Sequence, residues 1–198
     1  RMERFLQMCA KNNMQIVNTT TPAQQFHIIR RQLKRDFRKP LVCFTPKKLL
    51  RYPTCVSTIK DFTSKSFQEI LDDTNADVKN VKRLAFCTGK VYYDLIERRE
   101  KEGANDIAFV RIEQLYPFPQ KQVDAIIKKY NKATNYLWIQ EEPENAGAWR
   151  FIEHTMKKTD IAYIGRDEAA SPATGFSKRN AAENEEIMSK IFSKVLVK

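Results

Sequence analysis

Polar residues with chemical potential stand where apolar runs give way to loops. The longest such run, Ile107 to Ile112, is followed by Glu113, Gln114 and Tyr116 and then by Pro117 and Pro119. Its β-branched and aromatic content suits a strand. The two prolines forbid continuation as a hydrogen-bonded central strand, so a rigid loop is expected there. Ligands gather at the carboxyl ends of strands in an open parallel sheet, which makes Arg111, Glu113, Gln114 and Tyr116 candidate ligand contacts, with a plain strand exit as the alternative. Cys87-Thr88-Gly89-Lys90 stands between a strand pattern and a helix pattern. It lacks the first glycine and the hydroxyl residue of a Walker loop. What remains is an anion held by helix-start amides beside Lys90, or simple capping by Thr88. Glu141, Glu142 and Glu144 lie just beyond another strand on a loop stiffened by Pro143. Paired carboxylates can do acid-base work, but no nucleophile or metal partner is near in sequence. A docking or intersubunit role, with Trp149 as a buried anchor, is the reading preferred. His27 and His154 read as structural, and Ala170 to Gly175 as a tight small-residue connection.

The elements that must position these residues follow from spacing. Met2, Phe5, Leu6 and Cys9 recur at helical intervals up to a stop at Asn12-Asn13, and a strand covers Met14 to Asn18. Thr21-Pro22 starts a helix that runs to about Lys34, with Phe26, Ile29 and Leu33 as its apolar face and Arg30, Arg31, Lys34 and Arg35 on the other. Leu41 to Phe44 is a second strand. From Lys47 to Asn80 the pattern is irregular, with one helical turn expected around Phe67 to Leu71. Strands are then expected over Val81 to Cys87, Ile107 to Ile112, Tyr136 to Gln140 and Ile161 to Ile164. Helices are expected from Lys90 to Glu102 (closed by Gly103), from Gln120 to Tyr130, from Gly147 to Lys157 and from Asn180 to about Val195. Strands and helices alternating at this interval define an α/β domain with a mostly parallel sheet and helices on both faces.

Composition bounds the function classes. A chain of 198 residues with 42% hydrophobic content can bury a core. The formal charge of +11 favours anionic partners without choosing among them. A nucleic-acid-binding reading would rest on that charge alone, and no aromatics interleave a basic face, so no nucleic acid is expected. Cys9, Cys43, Cys55 and Cys87 form no Cys-x-x-Cys pair, which argues against a metal site and fits a reducing compartment. No stretch of ~18 apolar residues and no signal-peptide pattern occurs, so a soluble protein without a membrane partner is expected. The start at Arg1, inside a helical pattern, suggests a piece of a longer polypeptide. From the residues alone, the chain is an α/β domain with anion-receptive spots and without a complete active site.

An ordered set of motifs adds to this. Asn12-Asn-Met, Thr20-Thr-Pro-Ala-Gln, Thr45-Pro-Lys, Gly89-Lys-Val-Tyr-Tyr-Asp-Leu, Val110-Arg-Ile-Glu-Gln-Leu-Tyr-Pro-Phe-Pro, Gln140-Glu-Glu-Pro with Gly147-Ala-Trp, and Ala170-Ser-Pro-Ala-Thr-Gly together resemble the thiamine-dependent first component of 2-oxoglutarate dehydrogenase, near its C-terminal end. The resemblance implies that residues 1–52 close a pyrimidine-binding α/β domain and that 53–198 form a transketolase-like C-terminal domain. It implies a homodimeric parent enzyme that uses thiamine diphosphate and magnesium, decarboxylates 2-oxoglutarate and passes a succinyl group to lipoyl-lysine of the dihydrolipoyl succinyltransferase component. The 2-oxoadipate enzyme is the close alternative, and bacterial cytoplasm or mitochondrial matrix the expected location. Catalytic and cofactor-binding motifs would lie upstream of Arg1, so this piece alone is expected to be inactive and to bind no cofactor. A regulatory nucleotide site, for AMP or acetyl-CoA, is implied at Gln15, Arg31, Gln114 and Lys121, with Ser66, Glu69 and Gln122 nearby. Arg31 and Gln114 match the family outright, and Lys121 keeps an arginine's charge. Gln15 replaces a threonine, Ser66 a lysine, Glu69 a serine and Gln122 an arginine. That loss of cations weakens attraction for a polyphosphate and leaves a smaller monophosphate, held by Arg31 and Lys121.

Overall fold

A computed structural model describes residues 2–193. The chain opens with helix α1 (Met2–Gln7), strand β1 (Gln15–Asn18), helix α2 (Pro22–Lys34) and strand β2 (Leu41–Phe44). A 3-10 turn at Lys47–Arg51 and helix α3 (Ile59–Thr63) lead to β3 (Ile70–Leu71). Next come β4 (Arg83–Cys87), α4 (Val91–Glu102), β5 (Ile107–Ile112), β6 (Gln114–Tyr116) and α5 (Gln120–Lys129). β7 (Asn135–Pro143), α6 (Trp149–Thr155), β8 (Ile161–Arg166) and α7 (Ser177–Phe192) complete it. The expected last helix to about Val195 runs past Ser193, and that end lies outside the described residues.

The main sheet has the order β3-β5-β4-β7-β8, parallel except for β3, which pairs antiparallel with β5. Alternating side chains on the central strands point to opposite faces and both faces are covered. Leu84, Phe86, Ala108, Val110, Ile112 and Trp138 pack with α1, α5 and α6 on one side. Ala85, Cys87, Phe109, Leu137 and Ile139 pack with α4 and α7 on the other. This is the expected mostly parallel sheet with helices on both faces.

Two differences from the sequence reading matter for the site. The run through Ile107–Ile112 does not end in a loop. After Glu113 it resumes as β6, which leaves the main sheet and pairs antiparallel with β1 in a second sheet of order β2-β1-β6. The prolines stop β6, not β5. The face of α2 is also different. Phe26, Ile29 and Leu33 are exposed, Leu33 by 75%, while Ala23, Gln24, His27 and Ile28 are buried. The buried face is mixed in polarity because Gln24 bonds the backbone of Gln68 in both directions and His27 Nε2 bonds Asp61 O at 2.8 Å. Paired polar groups can be buried at little cost, so apolar spacing pointed to the wrong side.

Smaller corrections have local causes. Phe67 to Leu71 is not a helical turn. Glu69 O accepts from the amides of Glu113 and Gln114 at 2.9 and 3.1 Å, and Ile70–Leu71 pairs with β5. The helix of this region is α3, started by a capping box in which Thr58 and Asp61 bond each other's backbone. Helix α1 ends at Gln7, well before the expected stop, and the chain then turns through left-handed Lys11 and Asn12. β7 extends to Pro143, so Glu141 and Glu142 belong to a strand and not to a loop.

Candidate functional site

The switch point of the main sheet lies at the carboxyl ends of β4 and β7, where successive connections leave in opposite directions. Lys90 and Glu141 meet there as an ion pair. The Lys90 charge is therefore already engaged. Thr88 does not cap α4 either, since its hydroxyl donates to Ile112 O at 2.8 Å across the sheet and α4 has no side-chain cap. Gly89 has φ +75° and lies so close to Asn18 that a Cβ would stand 2.5 Å from its Nδ2. That contact ties β1 to the switch point.

The Gln140-to-Trp149 stretch is a helix start built from a buried amide. Gln140 Oε1 accepts from Trp138 Nε1 at 2.9 Å and from the amides of Ala148 and Trp149 at 3.0 Å each. Its Nε2 donates to Pro143 O at 3.0 Å. Gly147 is required because a Cβ there would come within 2.3 Å of Gln140. Trp149 is a core residue, its ring 5.2 Å from that of Tyr163, rather than a docking anchor. Burial pushes the Glu142 carboxyl up to about 7, with the Glu141 charge adding and Lys90 opposing.

Of the four residues at the end of the long apolar run, two turn inward. Glu113 is fully buried and accepts from the Thr20 amide at 2.9 Å and the Thr20 hydroxyl at 2.5 Å. Arg111 donates to the same hydroxyl at 2.9 Å and lies 3.9 Å over the Tyr92 ring. Burial raises the Glu113 carboxyl, and Arg111 and Thr20 oppose that rise. Tyr116 accepts from the Asn12 amide at 2.8 Å. These residues bind the first sheet to the second, and half-buried Arg111 also lines a cavity with Thr21, Tyr52, Tyr92 and Tyr93.

Gln114 is buried as well, against α2. It is 5% exposed, and its Oε1 accepts from Arg31 of α2 while its Nε2 donates to Pro117 O at 2.8 Å. Arg31 also donates to Gln15 Oε1 at 3.1 Å and pairs with Glu69 at 3.2 Å, its guanidinium 4.3 Å over the Phe67 ring. Glu69 in turn accepts from Gln122 at 2.9 Å. Three residues carried over from the family resemblance, Gln15, Gln114 and Glu69, thus converge on the Arg31 guanidinium, and Gln122 joins through Glu69. Lys121 and Ser66 do not join them: both are exposed, and Lys121 has no hydrogen bond or ion pair to the cluster. Burial and the neighbouring Arg35 lower Arg31 to about 10, and Glu69 opposes this. Arg35, which donates to Gln15 Oε1 at 2.5 Å, was read from the sequence only as part of a basic face. Its spacing of one turn from Arg31 is the signal that could have found it.

Among the described residues no three His, Cys, Asp or Glu side chains gather as a metal-holding cluster. Both oxygens of the buried Glu113 are taken by Thr20. These residues do not fit magnesium and a diphosphate. No helix among them is long and apolar enough to cross a membrane.

A doubly wound, mostly parallel sheet with a small sheet ahead of it is the build of transketolase-type domains. Residues 1–53 match the transketolase pyrimidine-binding domain, and residues 56–192 match the 2-oxoglutarate dehydrogenase C-terminal domain. The chain belongs to the 2-oxoglutarate dehydrogenase C-terminal family. Among its relatives, the 2-oxoglutarate dehydrogenase E1 component of Cupriavidus necator is 46% identical over 98% of this chain and 21% of its own length. That of Azotobacter vinelandii is 44% identical over the same shares, and that of Brucella anthropi 46% over 92% and 20%. The chain spans about a fifth of the length of these relatives.

Proposed function

We propose that this chain is part of the thiamine-dependent first component of 2-oxoglutarate dehydrogenase. The parent enzyme decarboxylates 2-oxoglutarate and transfers the succinyl group to lipoyl-lysine of the dihydrolipoyl succinyltransferase component. The observation that carries this is identity of 44 to 46% running through both matched domains, over 98% of the chain. Thiamine diphosphate and magnesium serve the homodimeric parent, in bacterial cytoplasm or mitochondrial matrix, and this chain alone is inactive. Residues 1–52 close the pyrimidine-binding domain and 53–198 form the C-terminal domain. An assay of the parent protein with thiamine diphosphate, magnesium and either 2-oxoglutarate or 2-oxoadipate tests the reading. Turnover of 2-oxoglutarate is expected. Turnover of 2-oxoadipate alone moves the chain to the sister enzyme.

A second reading concerns Arg31. Its convergence with Gln15 of β1 and Gln114 of β6, neighbouring strands of the smaller sheet, supports an effector site for the phosphate of a nucleotide, AMP ahead of acetyl-CoA, with exposed Lys121 one residue from Gln122 as a further cation.

A further inference from the structure

The surroundings of Arg31 carry more positive charge than they neutralise. Arg31 on α2 and Arg35, four residues on and just past the end of that helix, both donate to Gln15 Oε1, and Arg31 donates to Gln114 Oε1 as well. Neither amide oxygen carries a formal charge. Among the described residues the one carboxylate paired with either arginine is Glu69. Its placement is fixed from both ends. The backbone carbonyl of Glu69 accepts two amides from the β5–β6 corner, and the carboxylate spans Arg31 on α2 and Gln122 on α5. The guanidinium is held just as firmly, between the Phe67 ring and two amide oxygens, and its side chain is 17% exposed. The side chain that shares its accessible edge is Glu69, itself 29% exposed.

We infer that Glu69 is the built-in occupant of an anion site centred on Arg31, an intramolecular counter-anion that closes the site to a phosphate monoester and holds α2 to β6 and α5 without a ligand. The inference rests on the effector reading above and reverses its regulatory sense. A tethered carboxylate competes at high effective concentration, so a free phosphate must displace it. A carboxylate carries one charge and a phosphate monoester about −1.5 to −2, so two arginines suit the phosphate better once Glu69 is gone. The contact network that a ligand would otherwise assemble is therefore permanently made.

Calorimetric titration of the whole chain with inorganic phosphate and, separately, AMP, at low ionic strength, tests this on the unaltered protein, Glu69→Ser and Glu69→Gln. Thermal melts check that each variant folds. Phosphate binding at least about tenfold tighter in both variants than in the unaltered chain, and lost again when Arg31→Ala is added, is the expected result. If the variants gain phosphate but not AMP, the inference stands and the nucleotide reading falls. If AMP binds all three forms equally, the nucleotide reading stands and the inference falls. Absence of binding by either probe to any form overturns both.

Discussion

Burial raises the Glu142 carboxyl from an ordinary 4.5 to about 7, and Glu141 pushes the same way. A carboxyl whose pKa is higher in the folded than in the unfolded chain binds its proton more tightly when folded. Its burden on stability is complete above pH 7 and is relieved as pH falls from 7 towards 4.5. The full difference is worth up to about 3 kcal/mol. Glu142→Gln is therefore expected to stabilise the chain at pH 8 by about 1 to 3 kcal/mol, with the gain fading towards pH 5. Urea unfolding of both proteins at pH 5, 6, 7 and 8 measures it, and curves that stay parallel across that range would refute the account. At this scale the sequence was a partial guide. It marked Glu141, Glu142 and Lys90 as notable, yet could not show that Lys90 and Glu141 neutralise each other, because they stand on different strands' ends and meet only through the β4–β7 pairing.

At the scale of elements, α2 separates pattern from packing. Thr21 and Pro22 start the helix as their types require, with the Thr21 hydroxyl accepting from the Gln24 amide at 3.2 Å. Its face was misjudged because Gln24 and His27 are buried through specific partners while Phe26, Ile29 and Leu33 remain outside. Ile28→Ala is expected to cost about 2 to 4 kcal/mol, since Ile28 packs against Val17 and Phe67 with no exposed surface. Leu33→Gln is expected to change stability by less than about 0.5 kcal/mol. Denaturant midpoints of the two variants decide the matter; a large loss at Leu33 with none at Ile28 would place the buried face where spacing alone put it. The strands were more legible than this helix face. Parallel strands buried on both sides read as continuous apolar runs, and Arg83–Cys87 and Ile107–Ile112 fell within or on the expected bounds.

For the whole molecule, β6 is the decisive segment. Through it, three residues just downstream of β5 complete the sheet of β1 and β2, and the Thr20, Glu113 and Arg111 contacts seal the junction. The two sheets are expected to unfold together. Urea unfolding followed by Trp138 and Trp149 fluorescence and by amide exchange at Ile16 to Asn18 should give one midpoint, whereas two separated midpoints would mean independent units. The sequence by itself determined the α/β class, the order of most elements and the family, because strand and helix periods, caps and an ordered run of motifs are local properties of the chain. The tertiary structure alone decided that Arg31 meets Gln114, 83 residues away, that Glu69 stands on that guanidinium, and that one end of a long strand run belongs to another sheet. Those are long-range pairings of polar groups, set by how buried donors and acceptors find partners once the sheets pack, and no local spacing encodes them.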